Sequence, residues 1–331
     1  MTVREQTENT EITSLSRYAC KSTDIKMTKR SVPEEKCPYR TDFQRDRDRI
    51  LHCKAFRRLK RKTQVFLSPE GDHYRTRLTH TLEVSQIART ISRCMRMNED
   101  LTEAVALGHD LGHSPFGHCG EAILNEICPY GFRHYLQSVR VAEIIENDGE
   151  GLNLTFAVKN GIACHTNRLS STAEGNIVRL ADTIAYINHD IEDAVRAGVL
   201  SESDLSSDCV EILGRNKSER ITALVASVIR HGNENIDFEP EIRQIHDKLK
   251  NFMFERVYTG SIAKQENHKA ELLIKKLYSY FRENTDRLPE EYRRIMRKTD
   301  ADRAVCDYIS GMSDKYAVDI YTEIFIPKFW K

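Results

Sequence analysis

The sequence lacks the cysteine pattern of a disulfide-bonded or zinc-ribbon protein. Its nine cysteines are scattered along 331 residues, and no C-x-x-C pair occurs among them. An odd number of cysteines without paired spacing argues against a disulfide framework and against a structural zinc ribbon. We therefore expect reduced thiols, as in a cytoplasmic protein.

Long apolar runs and a net charge are also missing. No apolar stretch approaches the roughly 20 residues that a membrane-spanning helix needs, so we expect no membrane partner. The first residues, "MTVREQTENTEITS", are polar and acidic, which is not the pattern of a secretory signal. Fifty Lys and Arg balance fifty Asp and Glu. This balance excludes a protein that binds polyanions through its overall charge.

Proline and glycine are scarce, with eight and fifteen residues, and apolar residues recur three and four positions apart. This spacing is typical of amphipathic helices. It predicts helices over 80–97, 100–108, 134–147, 176–197, 220–231, 241–257 and 265–283, with Asp100 as the N-cap of the second. Strand-like alternation is weak, and "TQVFLS" at 63–68 is its best example. The predicted fold class is therefore mainly α.

The chain divides into three segments by composition. Residues 1–36 are polar and are expected to be partly ordered. Residues 37–200 are expected to form a helical core with a basic lead-in, and residues 201–331 a C-terminal helical region packed on that core. In the lead-in, residues 39–62 hold ten Arg and Lys against three Asp. Two interpretations stay open for it: a binding surface for an anion such as phosphate, or a solvated helix face with internal ion pairs.

The stretch "GHDLGHSPFGHCGE" at 108–121 concentrates side chains that bind metals or transfer protons. His109 and Asp110 are adjacent, and flanking glycines at a helix end let both converge on one ion. Imidazole with carboxylate suits manganese, iron, magnesium or zinc better than calcium. His80 and Asp182 lie on or beside apolar helical stripes. Each alone is more typical of a core histidine or an ion-pair partner, but together they favour a metal site built from facing helices.

Other polar residues recur at helical spacing around these positions. His118 and Glu121 are three apart and share a helix face, which suits either a general acid–base pair or a solvated pair at a helix start. Arg77 precedes His80 by one turn and has the geometry to bind phosphate. Tyr186 and Asp190 follow Asp182 at four and eight residues, where Tyr186 alone would be more typical of a core residue.

The order of these motifs resembles a known family. The series "RLTHTLEVSQIA", "LGHDLGHSPFGHCGE" and "RLADTIAYINHDIED", preceded by "TDFQRDRDRILHCKAFRRLKRKTQVF", resembles the HD-domain phosphohydrolase superfamily. Within it the chain is most similar to the deoxyguanosine triphosphate (dGTP) triphosphohydrolase-like family, from about residue 16 to about 200. The resemblance implies an HD-domain helical bundle core with additional C-terminal helices.

The resemblance also implies an activity and the residues that perform it. The activity is metal-dependent hydrolysis of deoxynucleoside triphosphates (dNTPs) at the α-phosphorus, giving deoxynucleoside and triphosphate. The ion would be manganese, magnesium or iron, with zinc or nickel as substitutes in a crystal. The implied metal ligands are His80, His109, Asp110 and Asp182. The implied catalytic residues are His118, Glu121, His113 and His134. The implied substrate contacts are Arg77, Gln64, Tyr186, Asp190, Arg256 and Tyr258.

Partners follow from the same resemblance. It implies a nucleotide or single-stranded nucleic-acid effector, and homo-oligomers from dimer to hexamer. Two alternatives stay open: another HD-type nucleotide phosphohydrolase, or a nucleic-acid-regulated protein that binds dNTPs. The basic stretch "KAFRRLKRK" at 54–62 motivates the second.

Overall fold

The computed structural model describes residues 1–64, 75–232, 234–258 and 261–328. These residues are mainly α-helical, as predicted. The one β pairing among them is an isolated antiparallel bridge between Thr63 and Thr76. Residues 65–68 of the strand candidate "TQVFLS" lie outside the described part of the chain.

The bounds of the α-helices in the described chain are as follows. In the first half they are α1 Val3–Ser14, α2 Asp42–His52, α3 Lys54–Arg58, α4 Arg77–Cys94, α5 Glu99–Gly108, α6 Gly117–Ile127, α7 His134–Arg140, α8 Glu146–Gly149 and α9 Phe156–Cys164. In the second half they are α10 Ala173–Arg196, α11 Ser207–Leu213, α12 Lys217–His231, α13 Pro240–Met253, α14 Ser261–Glu283, α15 Glu290–Lys298, α16 Ala301–Ser310 and α17 Asp314–Phe325.

Every helix predicted from apolar spacing is present. The predicted helices 134–147 and 241–257 each continue from an α-helix into a π-helical segment, Val141–Ile145 and Phe254–Tyr258. The predicted N-cap of α5 is wrong. Asn98 caps this helix, because its Oδ1 accepts the Leu101 N–H at 3.1 Å. Asp100 lies inside the first turn and accepts from Gln44 Nε2 at 2.9 Å.

One compact unit is formed by Met1–Asp48, His80–Leu107 and Thr155–Ser261. Its core contains the two apolar stripes that the sequence predicted. All members of both stripes are buried: Val84, Ile87, Ala88 and Ile91 on α4 with Met95 directly after it, and Ile177, Leu180, Ala181, Ile184, Ile187 and Ile191 on α10. Helix α9 packs closely against α5, since a Cβ on Gly161 would lie 2.6 Å from Val105 Cγ2.

A buried carboxylate ties the N-terminal segment into this first unit. Glu174, in the first turn of α10, is completely buried. Its Oε1 accepts the backbone N–H groups of Cys20 and Asn98, both at 3.0 Å. Burial raises the pKa of Glu174 from 4.5 to about 7. The folded chain therefore retains a proton near neutrality that the unfolded chain has released.

We expect Glu174→Gln to change the pH dependence of stability. Between pH 4.5 and 7 the folded state binds this proton and the unfolded state does not, so the stability contribution of Glu174 falls as pH rises through that window. Glutamine cannot ionise, and its Oε1 can still accept both N–H groups. The variant should gain about 1–3 kcal/mol relative to wild type between pH 5 and pH 8. Urea unfolding at both pH values measures this difference, and a constant difference would contradict it.

A second compact unit is formed by Arg49–Thr79, Gly108–Leu154 and Ile262–Lys331. A partly buried ion pair joins α7 to α16: Arg140 Nη2 donates to the buried Asp307 Oδ2 at 2.6 Å. Gln137 Nε2 also donates to Asp307, at 2.9 Å. The division of the sequence at residues 36 and 200 stays a prediction. Within the described residues no helix is long and apolar enough to span a membrane.

Candidate active site

The turn between α5 and α6 carries three of the predicted site residues, His109, Asp110 and His113, and α7 packs directly on it. A Cβ on Gly112 would lie 2.1 Å from Ser138 N, so only glycine permits this approach. The Gly112 N–H donates to Ser138 Oγ at 2.9 Å, and that hydroxyl donates to His109 O at 2.7 Å. Phe116 and Gly117 then reverse the chain with φ of 62° and 59°.

Asp110 is a buried carboxylate held by arginine. Arg77 Nη1 donates to Asp110 Oδ2 at 2.6 Å, and Arg77 Nη2 donates to Gln64 O at 3.3 Å. Burial opposes the charge of Asp110, but its electrostatic interactions with His109 and Arg77 outweigh burial and hold the pKa of Asp110 well below its usual range. The carboxylate is therefore ionised at neutral pH. Arg77 stands at the start of α4, where the sequence predicted a phosphate contact.

His134 and Glu121 form a hydrogen-bonded pair beside this carboxylate. Glu121 Oε2 lies 2.8 Å from His134 Nδ1, and Glu121 Oε1 accepts the His134 backbone N–H at 3.0 Å. Burial disfavours the charged imidazole, but the hydrogen bond from Glu121 outweighs burial and raises the pKa of His134. The same bond lowers the pKa of Glu121 against its own burial. The ring of His113 stacks on the His134 ring with centroids 4.7 Å apart.

His118 differs from the sequence-based expectation in its partner. The shared helix face suggested a hydrogen bond between His118 and Glu121, but the imidazole that Glu121 binds is His134. His118 keeps an exposed ring surface, and its centroid is 5.9 Å from that of His113. Desolvation by the surrounding protein, followed by the charge of Arg77, lowers the pKa of His118. A neutral imidazole that reaches solvent can accept or pass on a proton.

The donor set of this unit fits a divalent cation. Asp110, His113 and His134 each offer a ligand atom, and these atoms lie within 4.8 Å of one another. His113, His118 and Glu121 form a second such group. Within the described chain, buried His113 Nδ1 has no hydrogen-bond partner. Imidazole and carboxylate donors in this number suit a first-row divalent ion or magnesium.

The remaining predicted residues lie in the first unit or at its end. His80 Nε2 is 3.1 Å from Asp182 Oδ1, so α4 and α10 bring these two predicted ligands together. Tyr186 and Asp190 follow Asp182 on the same helix; burial, then the charges of Asp182 and Asp190, raises the pKa of Tyr186. Arg256 is exposed. The side chain of Tyr258 lies outside the described part, and roles for both stay predictions.

Two residues near the turn were not singled out from the sequence. Lys62 is 2% exposed, and its Nζ donates to His113 O and, at 2.8 Å, to Ser310 O. Asp314 accepts the backbone N–H groups of Thr63 and Phe116. From the sequence, Lys62 stands out only as part of the basic segment 39–62, which suggested that its side chain lies on the surface. Asp314 is an acidic residue in the first turn of a helix, and nothing else in the sequence distinguishes it.

Comparison with known proteins places these residues in a family. The HD domain family model matches residues 77–187, and the phosphohydrolase-associated domain model matches 236–323. A deoxyguanosinetriphosphate triphosphohydrolase-like protein of Caldanaerobacter subterraneus subsp. tengcongensis is 55% identical over all of this chain and 98% of its own length. Proteins of the same description from Clostridium perfringens SM101 and Clostridium tetani are 48% and 46% identical, each over 99% of this chain and over 99% and 97% of their own lengths.

The HD match begins at Arg77 and includes the turn, the Glu121–His134 pair and Asp182. The associated domain contains Asp307 and Asp314. Because the Caldanaerobacter protein is 55% identical over all of this chain, the similarity covers the whole sequence. The chain belongs to the deoxyguanosinetriphosphate triphosphohydrolase-like family of HD-domain phosphohydrolases.

Proposed function

We propose that the protein hydrolyses dNTPs, dGTP among them, at the α-phosphorus, releasing deoxynucleoside and triphosphate. The observation that carries this proposal is the buried network of Arg77, Asp110, His113, His134 and Glu121. The network contains the Arg77 guanidinium, which can bind phosphate. It also contains two imidazoles with opposite pKa shifts, since the pKa of His113 is lowered and that of His134 is raised. Groups whose environments separate their pKa values are typical of acid–base catalysis. The similar proteins from Caldanaerobacter and Clostridium are described as deoxyguanosinetriphosphate triphosphohydrolase-like.

We propose His80, His109, Asp110 and Asp182 as ligands of manganese, magnesium or iron. The pairs His80–Asp182 and His109–Asp110 support this, since each pair brings an imidazole and a carboxylate together. When bound, such an ion supplies Lewis-acid stabilisation of phosphoryl oxygens. Asp110 stays ionised through Arg77, and its negative charge is available to a cation at neutral pH.

The other proposed roles follow from the chemistry of each side chain. His118 would take up a proton from the attacking water and pass it to the 5′ oxygen of the leaving deoxynucleoside. Glu121 would hold His134 charged near the phosphates, with His113 stacked on it. Gln64 is buried, and its Oε1 has no hydrogen-bond partner among the described residues, which leaves it available to the base or sugar. Tyr186 and Asp190 would meet the sugar, the ring against C2′ and the carboxylate at the 3′-OH.

A substrate panel separates this function from other HD-type chemistry. Each dNTP, the corresponding ribonucleotides and the deoxynucleoside monophosphates are incubated with the protein and Mn²⁺ or Mg²⁺. Triphosphate from at least one dNTP supports the proposal. Orthophosphate from monophosphates alone would favour the other HD-type phosphohydrolase.

We further propose a nucleotide effector site in a basic cleft of the second unit. The cleft, of about 600 Å³, is lined by Lys54, Arg57, Arg58, Lys60 and Arg61 together with Tyr292, Tyr308 and Tyr316. Among the described residues, Lys60 and Arg61 have no acidic partner, whereas Lys54 is paired with Asp148 and Glu291. This volume is within the usual range for a small-molecule site. For the end of the basic segment the cleft supports anion binding, whereas Arg40 and Arg47 form internal ion pairs with Asp48.

Charge reversal tests the cleft. Stimulation of dGTP hydrolysis by added dATP is measured for wild type, for Lys60→Glu/Arg61→Glu, and for the matched surface control Arg287→Glu/Lys298→Glu. We expect the cleft variant to lose stimulation and the control to keep it. Stimulation by an oligo-dT strand but not by dATP would favour a nucleic-acid effector. Undiminished stimulation of the cleft variant by dATP would contradict the proposed site.

Our proposals for self-association and for cellular location rest only on the family resemblance. We propose homo-oligomers, dimer to hexamer, and a cytoplasmic location. Sedimentation velocity of the purified protein with and without dATP measures the assembly, and a monomer under both conditions would contradict it.

A further inference from the structure

The backbone just before His118 has an energetically unfavourable conformation. Phe116, two residues before His118, has φ 62° and ψ 27°, in the left-handed region. Residues other than glycine and asparagine rarely occupy this region, and they keep it only when their surroundings enforce it. Phe116 also lacks a capping side chain for α6. Something outside the turn must therefore hold this residue.

The side chain of Asp314 supplies that restraint. Its Oδ1 accepts the Phe116 N–H at 3.0 Å, and its Oδ2 accepts the Thr63 N–H at 2.9 Å. Thr63 precedes Gln64, the proposed base or sugar contact. One carboxylate therefore fixes the entry to the helix of His118 and the backbone beside Gln64.

Lys62 reinforces the same connection from the other side of Thr63. Its buried Nζ donates to the carbonyl of His113, within the turn, and to the carbonyl of Ser310, at the end of α16. The turn is thus connected to the segment 310–314 at two points, directly at Phe116 and through Lys62 at His113. That segment lies outside the match to the HD domain and inside the phosphohydrolase-associated domain.

We propose that Asp314 is a positioning residue of the active site: it holds Phe116 in the left-handed conformation and so places His118 for proton transfer. This inference rests on the proposed function for its kinetic consequence. It assigns to the phosphohydrolase-associated domain a direct role in the geometry of the HD turn. The bonds themselves involve only backbone N–H groups and one carboxylate, so they can be tested without turnover.

Asp314→Asn is the informative substitution, because the amide keeps the size but has only one accepting oxygen for two N–H donors. Asp300→Asn is the matched control. Asp300 also accepts one backbone N–H, from Arg303, and bonds one side chain, the Tyr130 hydroxyl, but touches no residue of the turn. We expect kcat to fall roughly 10- to 100-fold in Asp314→Asn, because small displacements of reacting groups have effects of this size. The control should stay within about three-fold of wild type, and KM in both should change less than kcat.

Two further measurements separate positioning from general destabilisation. Hydrogen–deuterium exchange of peptides spanning 111–122 should accelerate in Asp314→Asn and stay unchanged in Asp300→Asn. In a Phe116→Gly background the loss caused by Asp314→Asn should shrink, because glycine adopts positive φ without the steric cost. An equal loss in both backgrounds, or unchanged exchange, would overturn the inference.

The outcomes distinguish this inference from the proposed function. Wild type that releases triphosphate while Asp314→Asn keeps its kcat overturns the positioning role and leaves the function intact. Wild type that hydrolyses no dNTP overturns the function, while faster exchange confined to Asp314→Asn still supports the restraint on the turn.

Discussion

Replacing His118 by alanine is expected to lower kcat by about 10²- to 10⁴-fold, the usual contribution of a positioned acid or base. His118 is accessible to solvent at the start of α6, and its pKa is lowered by desolvation and by Arg77. It is therefore neutral at pH 7, and it can take up a proton from the attacking water before passing one to the leaving 5′ oxygen. Binding of Mn²⁺ should persist, because His118 is not among the four proposed ligands. Steady-state kinetics and isothermal titration calorimetry measure the two effects.

The control for this experiment is His231→Ala, which removes an exposed histidine at the end of α12. It should leave kcat and Mn²⁺ affinity within error of wild type. A His118→Ala protein with unaltered kcat would remove His118 from the mechanism. Loss of Mn²⁺ together with activity would instead make His118 a ligand, as its place in the His113–His118–Glu121 group permits.

Asp110→Asn is expected to abolish both Mn²⁺ binding and turnover, with a loss of at least about 10³-fold in kcat because the charge that serves the ion is removed. The structure adds a second consequence. Arg77 Nη1 donates to Asp110 Oδ2 at 2.6 Å and both side chains are buried, so the variant leaves a buried guanidinium without its counter-charge. Breaking such a pair typically costs about 3–5 kcal/mol. Thermal unfolding should therefore show a folded but less stable protein.

The control is Asp148→Asn, which makes the same substitution at an exposed carboxylate. It should bind Mn²⁺ and turn over substrate as wild type does. If Asp110→Asn keeps the Mn²⁺ affinity of wild type, the proposed ligand set is wrong. If it loses stability alone, Asp110 serves only to pair with Arg77.

The helices and their buried faces could be predicted from the sequence because helical periodicity is a local property. The stripes on α4 and α10 repeat every three to four residues, and each predicted member is buried. The N-cap of α5 was misplaced because Asn98 and Asp100 are both good caps, and only the backbone geometry distinguishes them. The set His80, His109, Asp110 and Asp182 was predicted as metal ligands from its joint pattern on helical stripes and from the family resemblance, and it stays a prediction.

The partners of the site residues could not be predicted, since they depend on how distant segments pack. Glu121 binds His134, thirteen residues away, because α7 packs on the turn at Gly112. Periodicity within α6 pointed to His118 instead. Lys62 looked like one of many surface cations, yet it is buried between two carbonyl groups. The bond from Phe116 to Asp314 spans almost 200 residues, and neither residue type signals it.

Product analysis in H₂¹⁸O tests the proposed function most directly. The protein is incubated with dGTP and Mn²⁺ in labelled water, and the products are identified by mass spectrometry. Attack of water at the α-phosphorus with loss of the 5′ oxygen yields unlabelled deoxyguanosine and triphosphate that carries one ¹⁸O. Labelled pyrophosphate or labelled dGMP would show cleavage between the α- and β-phosphates, and labelled deoxyguanosine would show attack at carbon. The first result would contradict a triphosphohydrolase, and the second would contradict attack at the α-phosphorus.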